Sequence, residues 1–564
     1  MKIGRTTLLG TAVAIFVATA WLYWPSVRGG FLTRMDDDEY LRQSIRWNGL
    51  TWGAVKWAFT ATEPYYHPLP RLSHVLDYQI WGRDATGHHA TSVVLHALNA
   101  ALVFGFLWTL LGHAELTDRE RFLVACGVAA VFAIHPFQTE SVAWMSGRTQ
   151  LMCTTLGVGC MWVYVAGARR WVVWGLYVGA LLCKPMAVAF PFVMLAIDYF
   201  PLRRNQKVGW LRLLQEKAVL IGLVIVAAAA TVVTELRPGG LMVSLEAVSP
   251  VQRVFLLFQS LTFYPWRLIC PVGFSPFYPL SPGLQAGWWT VVVPMLSVAV
   301  VTGVAVWYRL RIPVLAASWA AYVMLVLPVS GLTQTGMAGV ALRYAYVAML
   351  PLLLAMAAGV VWLWRRSATI GHAGLSGLLV CELCVFGLQT RMLIPTWHDN
   401  ETLWQTAIAR YPDAAVPNRV LSMIYLAQRR PLKALDYARR YAAIFPKQCE
   451  SHNNLGSVLA TLGRFDEAIA EFQEALRLQP DYADAHNNLG NALLHEGKVD
   501  EAMQHYEEAV KITPGSPEAQ YDLGVVLERM GRAAEAAQHY QIALRLRPDL
   551  VPARNALARL QASQ

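Results

Sequence analysis

Charge is what this chain is short of. Only 15% of its 564 residues are Asp, Glu, Lys or Arg, and 55% are hydrophobic. A soluble protein carries nearer a quarter charged residues, so the shortage excludes a wholly soluble chain. Acids are scarcer than bases, 37 against 47, which leaves a net charge of +10. Much of that surplus sits in short clusters beside apolar runs, where positive charge marks the cytoplasmic flank of membrane spans. It does not form the footprint of a nucleic-acid binder, and no nucleic-acid partner is expected. Cysteine is sparse as well, with eight residues, mostly inside apolar segments (Cys126, Cys153, Cys160, Cys183). Cys381 and Cys384 make one CxxC with no second pair, which favours thiols packed as small hydrophobes over a zinc or redox centre. Also missing is a pair of Gly/Pro-broken spans repeated between two halves, the pattern of a transporter.

What is present divides the chain in two. Residues 1–394 are apolar with short polar breaks, 395–412 form a linker or first helix, and 413–564 are charged and Ala-rich with a helical pattern. The first apolar run, 6–24, follows Lys2 and Arg5 and ends in the aromatic girdle "WLYWP". That reads as an uncleaved span with a cytoplasmic N-terminus rather than a signal peptide. Ten further spans fall at about 90–112, 121–136, 148–167, 171–185, 186–200, 218–236, 286–308, 312–330, 342–364 and 372–394. A crossing takes about 17–25 residues, so those near fifteen are marginal. Arg169–Arg170, "RRNQK", "RLR" and Arg365–Arg366 are all cytoplasmic only if the apolar piece at 251–270, which contains Arg253, does not cross. The expectation is eleven spans, with residues 25–89 and the C-terminal region outside a bacterial inner membrane.

The C-terminal region repeats. Gly456, Gly490 and Gly524 lie 34 residues apart, as do Ala468, Ala502 and Ala536, then Phe472, Tyr506 and Tyr540. Prolines at 412, 446, 480, 514 and 548 keep the same interval. "HNNLG…GRFDEAIAEFQEALRLQP" is similar to the tetratricopeptide-repeat consensus, a helix–turn–helix unit whose small residues let paired helices approach. About four units are expected, the first (413–446) degenerate, ending in a capping helix at "VPARNALARLQ". One unit cannot bury its apolar face alone, so neighbours must stack. The superhelix implies a protein or peptide partner in its groove.

The loop 25–89 is longer than a connector needs, and long loops in compact proteins are commonly functional. It carries "RMDDDEY", "YYHPLPRLSHVLD" and the start of "HHATSVVLHALN". "HPFQTESVAWMSGR" at 135–148, Lys184–Pro185 and "RYAY" at 343–346 meet the same outer face in the expected topology. Ionisable groups at span ends, converging from separate helices, mark a site.

These stretches, in this order, resemble the bacterial relatives of the transmembrane-and-tetratricopeptide O-mannosyltransferases, polytopic glycosyltransferases of the class called GT-C. The resemblance covers nearly the whole chain. It implies an all-α fold, a GT-C-like membrane domain followed by a repeat superhelix. It also implies an inverting enzyme that moves a sugar from a polyprenyl-phosphate donor to a hydroxyl, with protein Ser or Thr as leading acceptor. The family's acidic pair falls on Asp36 and Asp37, either of which can be the general base, with Tyr40 beside them. Asp38 is an extra acid. On its own, an acidic run most often solvates a loop.

A departing polyprenyl phosphate calls for cations, and Arg71, His74, Arg148, Lys184 and Arg343 are the candidates, supported by His67, Glu140 and Tyr346. A snorkelling role for Lys184 and a Glu140–Arg148 pair are the structural alternatives. Asp77, His89 and His96 read as inter-helix hydrogen bonds, and Asp198 as cytoplasmic. No cofactor is certain beyond the lipid-linked donor. Close carboxylates leave a divalent metal open, and membrane lipids surround the spans. A non-catalytic scaffold recruiting partners for envelope assembly is the alternative function. A transferase acting on a lipid or glycan is a third.

Overall fold

A computed structural model describes residues 3–33, 35, 37–61, 66–235, 248–280, 287–332, 338–367 and 369–562. The chain divides into two compact units, Met1–Thr406 and Ala407–Gln564. Unit one opens with α1 (Arg5–Tyr23) and a tight 3-10 turn at Trp24–Arg28. The long loop after it is itself helical, with α2 (Asp37–Trp47), α3 (Trp52–Thr60) and α4 (Pro68–Trp81). Then come α5 (Ala85–Leu111), α6 (Asp118–Ile134), α7 (Gln138–Ala143), α8 (Arg148–Val165), α9 (Arg170–Leu181) and α10 (Phe190–Tyr199). They are followed by α11 (Arg204–Glu216), α12 (Ala218–Glu235), α13 (Pro250–Ile269), α14 (Trp289–Trp307), α15 (Pro313–Val326), α16 (Ala345–Arg366) and α17 (Thr369–Leu393). Short strands β1 (Tyr278–Pro279) and β2 (Ala338–Val340) pair antiparallel. The unit boundary falls within α18 (Asn400–Arg410).

Among the described residues, five segments are long and apolar enough to cross a membrane: Arg5–Arg28, Ala85–Leu111, Trp289–Trp307, Leu342–Arg366 and His372–Trp397. The bent pair α11–α12, kinked by 41°, makes six if it counts as one span. The eleven spans expected from hydropathy do not follow from helix length. Helices α9, α10 and α15 run for only 12, 10 and 14 residues, below what a crossing needs. Prolines 185, 201, 313 and 328 interrupt the runs on which the larger count rested. The segment at 251–270 is α13, amphipathic and absent from the span-like group. Its Arg253 is buried and donates to the carbonyls of Val248 and Leu332, both at 3.2 Å.

The core of unit one is built around α5, where His96 and Asn99 are buried yet partnered. His96 Nδ1 meets the Tyr346 hydroxyl at 2.6 Å and its Nε2 meets the Ala133 carbonyl at 2.9 Å. Asn99 donates to the Leu151 carbonyl at 3.0 Å and to Tyr346 Oη at 3.2 Å, and accepts from Thr155 at 2.7 Å. Buried groups of this kind cost energy only when left unpaired, so they pin α5 to α6, α8 and α16.

Polar contacts within unit one sort into two ends. At one, Arg365 chelates Glu120 and reaches the Glu115 carbonyl, Arg203 meets Glu115, and Tyr199 donates to the Arg309 carbonyl. This end gathers Arg169, Arg170, Arg203, Arg204, Lys207, Arg309, Arg311, Arg365 and Arg366. The other end gathers α2–α4, α7, the C-terminus of α1 and the start of α8. At this end Gly30 N–H donates to the His398 carbonyl at 2.7 Å, and Trp397 stacks on Trp144.

Unit two is a series of helix pairs, α19 (Ala415–Ala427) with α20 (Pro431–Ile444), α21 (Cys449–Thr461) with α22 (Phe465–Leu478), and α23 (Ala483–His495) with α24 (Val499–Ile512). The series ends with α25 (Pro517–Arg529) beside α26 (Ala533–Leu546), then α27 (Val551–Ala562). The 34-residue glycines are where the partner helix touches. A Cβ at Gly456, Gly490 or Gly524 would lie 2.6, 2.9 or 2.6 Å from the ring of Phe472, Tyr506 or Tyr540. Gly463, Gly497 and Gly531 end the first helix of each pair at φ of 75°, 79° and 78°, a left-handed conformation that glycine adopts without strain.

Candidate functional site

The acidic run does not dangle in solvent. Asp37 opens α2 and is fully buried. Its Oδ1 accepts from Ser146 N–H at 3.0 Å and from the Ser146 hydroxyl at 2.6 Å, and its Oδ2 accepts from Leu32 N–H at 2.9 Å. A carboxylate at a helix N-terminus is favoured by the dipole, and here it also ties the first loop to the segment between α7 and α8. Asp38 and Glu39, the next two residues, pair on the surface with Arg42 one turn further along. Asp36 lies outside the described residues.

Two residues before Ser146, Trp144 lies under the guanidinium of Arg343 at 5.4 Å. Glu140 of α7 clamps Arg343 twice, accepting from its side chain and, at 3.1 Å, from its backbone N–H. Arg343 and the Lys184 ammonium both sit on the Tyr344 ring, at 4.9 and 5.5 Å. Lys184 donates to Gln150 of α8 at 3.0 Å and is half-buried, so it is held by protein rather than snorkelling. The segment 144–146 thus touches the carboxylate on one side and Arg343 on the other.

The loop helices complete this end. Arg71 on α4 is buried, donates to the Ala61 carbonyl at 2.6 Å and lies over Trp57. Tyr40 is placed between two histidines: its hydroxyl is 3.3 Å from His67 Nδ1 and its ring centroid 4.6 Å from that of His74. Burial, with Lys184 and Arg71 nearby, pushes His67 down to about 3. Burial, then Arg148 and His88, holds His74 well below the ordinary imidazole range. Both rings are therefore neutral near pH 7, and His74 is not the phosphate-binding cation that the sequence suggested.

Arg148 is placed differently from the expectation too. It is fully buried in an ion pair with Asp77, donates to the His88 carbonyl at 2.6 Å, and reaches Ser73 at 3.4 Å. Thr91 donates to the other Asp77 oxygen at 2.9 Å. Arg148 thereby joins α4, α5 and α8, and its charge is spent on Asp77; it does not pair with Glu140, which belongs to Arg343. Tyr346 serves the α5–α16 contact described above. His89 Nε2 meets the Gly30 carbonyl at 3.3 Å. Cys381 and Cys384 are exposed on α17 rather than packed in a core.

Sequence reasoning missed Ser146, Gln150, Trp144 and Tyr344, the residues that hold the acid and the cations. All four sit in or beside the motifs already singled out, and Tyr344 next to Arg343 was the available signal for an aromatic partner. Among the described residues, no three His, Cys, Asp or Glu side chains converge as a metal site. In unit two, a polar ladder runs across successive first helices. Asn488 donates to Asn453 at 2.9 Å and Asn487 to Asp522 at 2.7 Å, and the Tyr506 hydroxyl donates to Asn491 at 2.8 Å.

Family profiles described as tetratricopeptide repeat match residues 453–517 and 493–563. Among curated proteins, the chain is similar to the protein O-mannosyl-transferase TMTC4 of Homo sapiens, 26% identical over 161 residues, 25% of this chain and 22% of the relative. It is 33% identical over 133 residues to the protein O-mannosyl-transferase Tmtc1 of Drosophila melanogaster, 22% of this chain and 14% of that protein. The chain therefore spans under a quarter of the length of these relatives. Among solved structures, MamA is 26% identical, covering 26% of this chain and 88% of that one at a TM-score of 0.23. A thermophilic tetratricopeptide-repeat protein of Thermus thermophilus is 22% identical, covering 29% and 89% at a TM-score of 0.28.

Proposed function

We propose that this protein is a membrane glycosyltransferase that moves a sugar from a polyprenyl-phosphate donor to a hydroxyl, with Ser or Thr of a repeat-bound protein as acceptor. The observation that carries this reading is the segment 144–146, which links the buried Asp37 carboxylate to Arg343 through Ser146 and Trp144, with Lys184 on the Tyr344 ring that Arg343 also meets. The similarity to proteins named O-mannosyl-transferases points the same way. In the reaction, the acceptor oxygen attacks the anomeric carbon from the face opposite the phosphate. Its proton passes to a carboxylate of the Asp36–Asp37 pair. The bond between the anomeric carbon and the phosphate oxygen breaks, and its electron pair leaves with the polyprenyl phosphate. Arg71, Lys184 and Arg343 are the cations available to meet that charge, and preorganised cations act most strongly where water is excluded. One displacement gives inversion. Repeats that hold the acceptor raise its local concentration, on a periplasmic face in this reading.

A second reading, a scaffold whose repeats recruit partners, is favoured by one observation: Asp37 already accepts three hydrogen bonds, as a purely structural N-terminal acid would. Purified full-length protein, given labelled polyprenyl-phosphate sugars and a panel of Ser/Thr peptides, separates the two. The transferase reading expects transfer that falls by roughly 10²–10⁴-fold in Asp37→Asn or Asp36→Asn while thermal stability is largely kept. Transfer unchanged in both variants, or absent with every donor, leaves the scaffold.

A further inference from the structure

The opposite, basic end holds a second polar site that the transfer chemistry does not use. A cavity of about 410 Å³ opens where α9, α11 and α12 meet the end of α8, lined among others by His113, Arg170, Trp174, Arg204, Lys207 and Lys217. Behind its wall Asp198 is fully buried and pairs with Lys217, itself 2% exposed. The Tyr164 hydroxyl donates to Asp198 at 2.6 Å and accepts from Arg204 at 2.7 Å and from Lys217 at 3.0 Å. Arg204 also pairs with Glu216 at 2.6 Å. Two carboxylates thus answer two of the four cations. Arg170 and Lys207 have no carboxylate within ion-pair distance among the described residues, and both reach the cavity.

The surroundings set the depth of this site in the bilayer. Helix α11 exposes Val208, Trp210, Leu211 and Leu214 while carrying Arg204, Lys207 and Arg212, the composition of a helix lying in a membrane interface. Trp171, also exposed, begins α9 beside Arg170, as interfacial aromatics do. A surplus of two positive charges, a rigid buried back wall and a mouth at headgroup level fit a phosphodiester. The volume is that of a small-molecule site.

We propose that this cavity binds the headgroup of an anionic phospholipid of the cytoplasmic leaflet, with Arg170 and Lys207 on its phosphate and Lys217 fixed behind it by Asp198. Such a lipid would fasten the short helices α9 and α10, which cannot anchor themselves by length.

The test uses the full chain in detergent, measured by native mass spectrometry with phosphatidylglycerol against phosphatidylcholine of the same acyl chains. At about 1 kcal/mol per basic residue, Arg170 and Lys207 together carry a preference of roughly 20- to 30-fold for phosphatidylglycerol. That preference is lost in Arg170→Gln/Lys207→Gln and kept in Arg309→Gln/Arg311→Gln, whose charges lie on the same face outside the cavity. Both pairs are exposed, so thermal midpoints stay at wild type. Equal retention of the two lipids, or equal loss in both double variants, overturns the site. Stabilisation by free inorganic phosphate matching that by phosphatidylglycerol overturns the lipid as its source.

Discussion

The buried pair between Asp77 and Arg148 offers a sharp test of how the end of unit one that carries α2–α4 is built. Arg148 is fully buried, Asp77 nearly so, and the guanidinium also serves the His88 carbonyl and Ser73. Replacing Arg148 with Leu leaves a buried carboxylate whose remaining neighbours are Thr91 at 2.9 Å and the His88 ring at 3.6 Å. Removing one partner of a buried pair costs about 3–5 kcal/mol, because the other charge is stranded. Replacing both by apolar residues of matching volume is far cheaper, so Asp77→Leu/Arg148→Leu is expected to be more stable than Arg148→Leu alone. Chemical denaturation of the purified protein, followed by tryptophan fluorescence, measures the cycle, with a coupling of roughly 1–3 kcal/mol expected for residues in contact. If Arg148→Leu keeps wild-type stability and loses only donor binding, Arg148 is a phosphate ligand after all and the structural assignment fails.

Three further outcomes follow from the geometry. Gly524→Ala places a methyl 2.6 Å from a Tyr540 ring whose hydroxyl is tied to Glu528 at 2.7 Å. Overpacking of about 1–3 kcal/mol outweighs the helix-propensity gain of Ala, so hydrogen exchange in α25 and α26 should quicken, and unchanged protection would refute the close packing. His74 has a folded-state pKa far below its unfolded value, so its contribution is complete above about pH 6.5 and drains away as the pH falls below that, at roughly 1.4 kcal/mol per unit. A thermal midpoint that rises between pH 7.5 and 5 would contradict it. Glu140→Gln frees Arg343 from its clamp, and loss of positioning is expected to cost transfer about 10²-fold; transfer rates equal to wild type would show that the clamp is irrelevant.

Much of unit two was legible because its constraint is periodic: a glycine in one helix is required by a ring in the next, and both recur every 34 residues. The degenerate first unit shows the same rule inverted. At the glycine position stands Ser422, and at the aromatic position Ala438, so the bulk was lost with the space for it. Its left-handed turn position is Arg429, at φ 58°, where the other units have glycine. Unit one was less legible. Hydropathy finds apolar runs, but prolines decide where a helix stops, and α9, α10 and α15 are shorter than their apolar runs. At the site, residue type alone could not tell a cation held by a buried acid from one held by an aromatic face. Arg148 and Arg343 look alike in sequence, and each pairs with a buried acid, Asp77 or Glu140, but Arg343 also lies against the rings of Trp144 and Tyr344, the second shared with Lys184.

That difference matters for charge balance on the proposed chemistry. A sugar joined to polyprenyl phosphate is a phosphodiester with one negative charge; once the bond to the anomeric carbon breaks, the phosphate carries nearly two. Glu140 pairs with Arg343 and offsets its charge, and Lys184 shares the Tyr344 ring with that guanidinium. Arg71 adds a further positive charge, close enough to Lys184 that both depress the same imidazole, His67. Cations positioned before the reaction to meet that added charge favour the transition state over the bound donor, which is the condition for catalysis rather than mere binding.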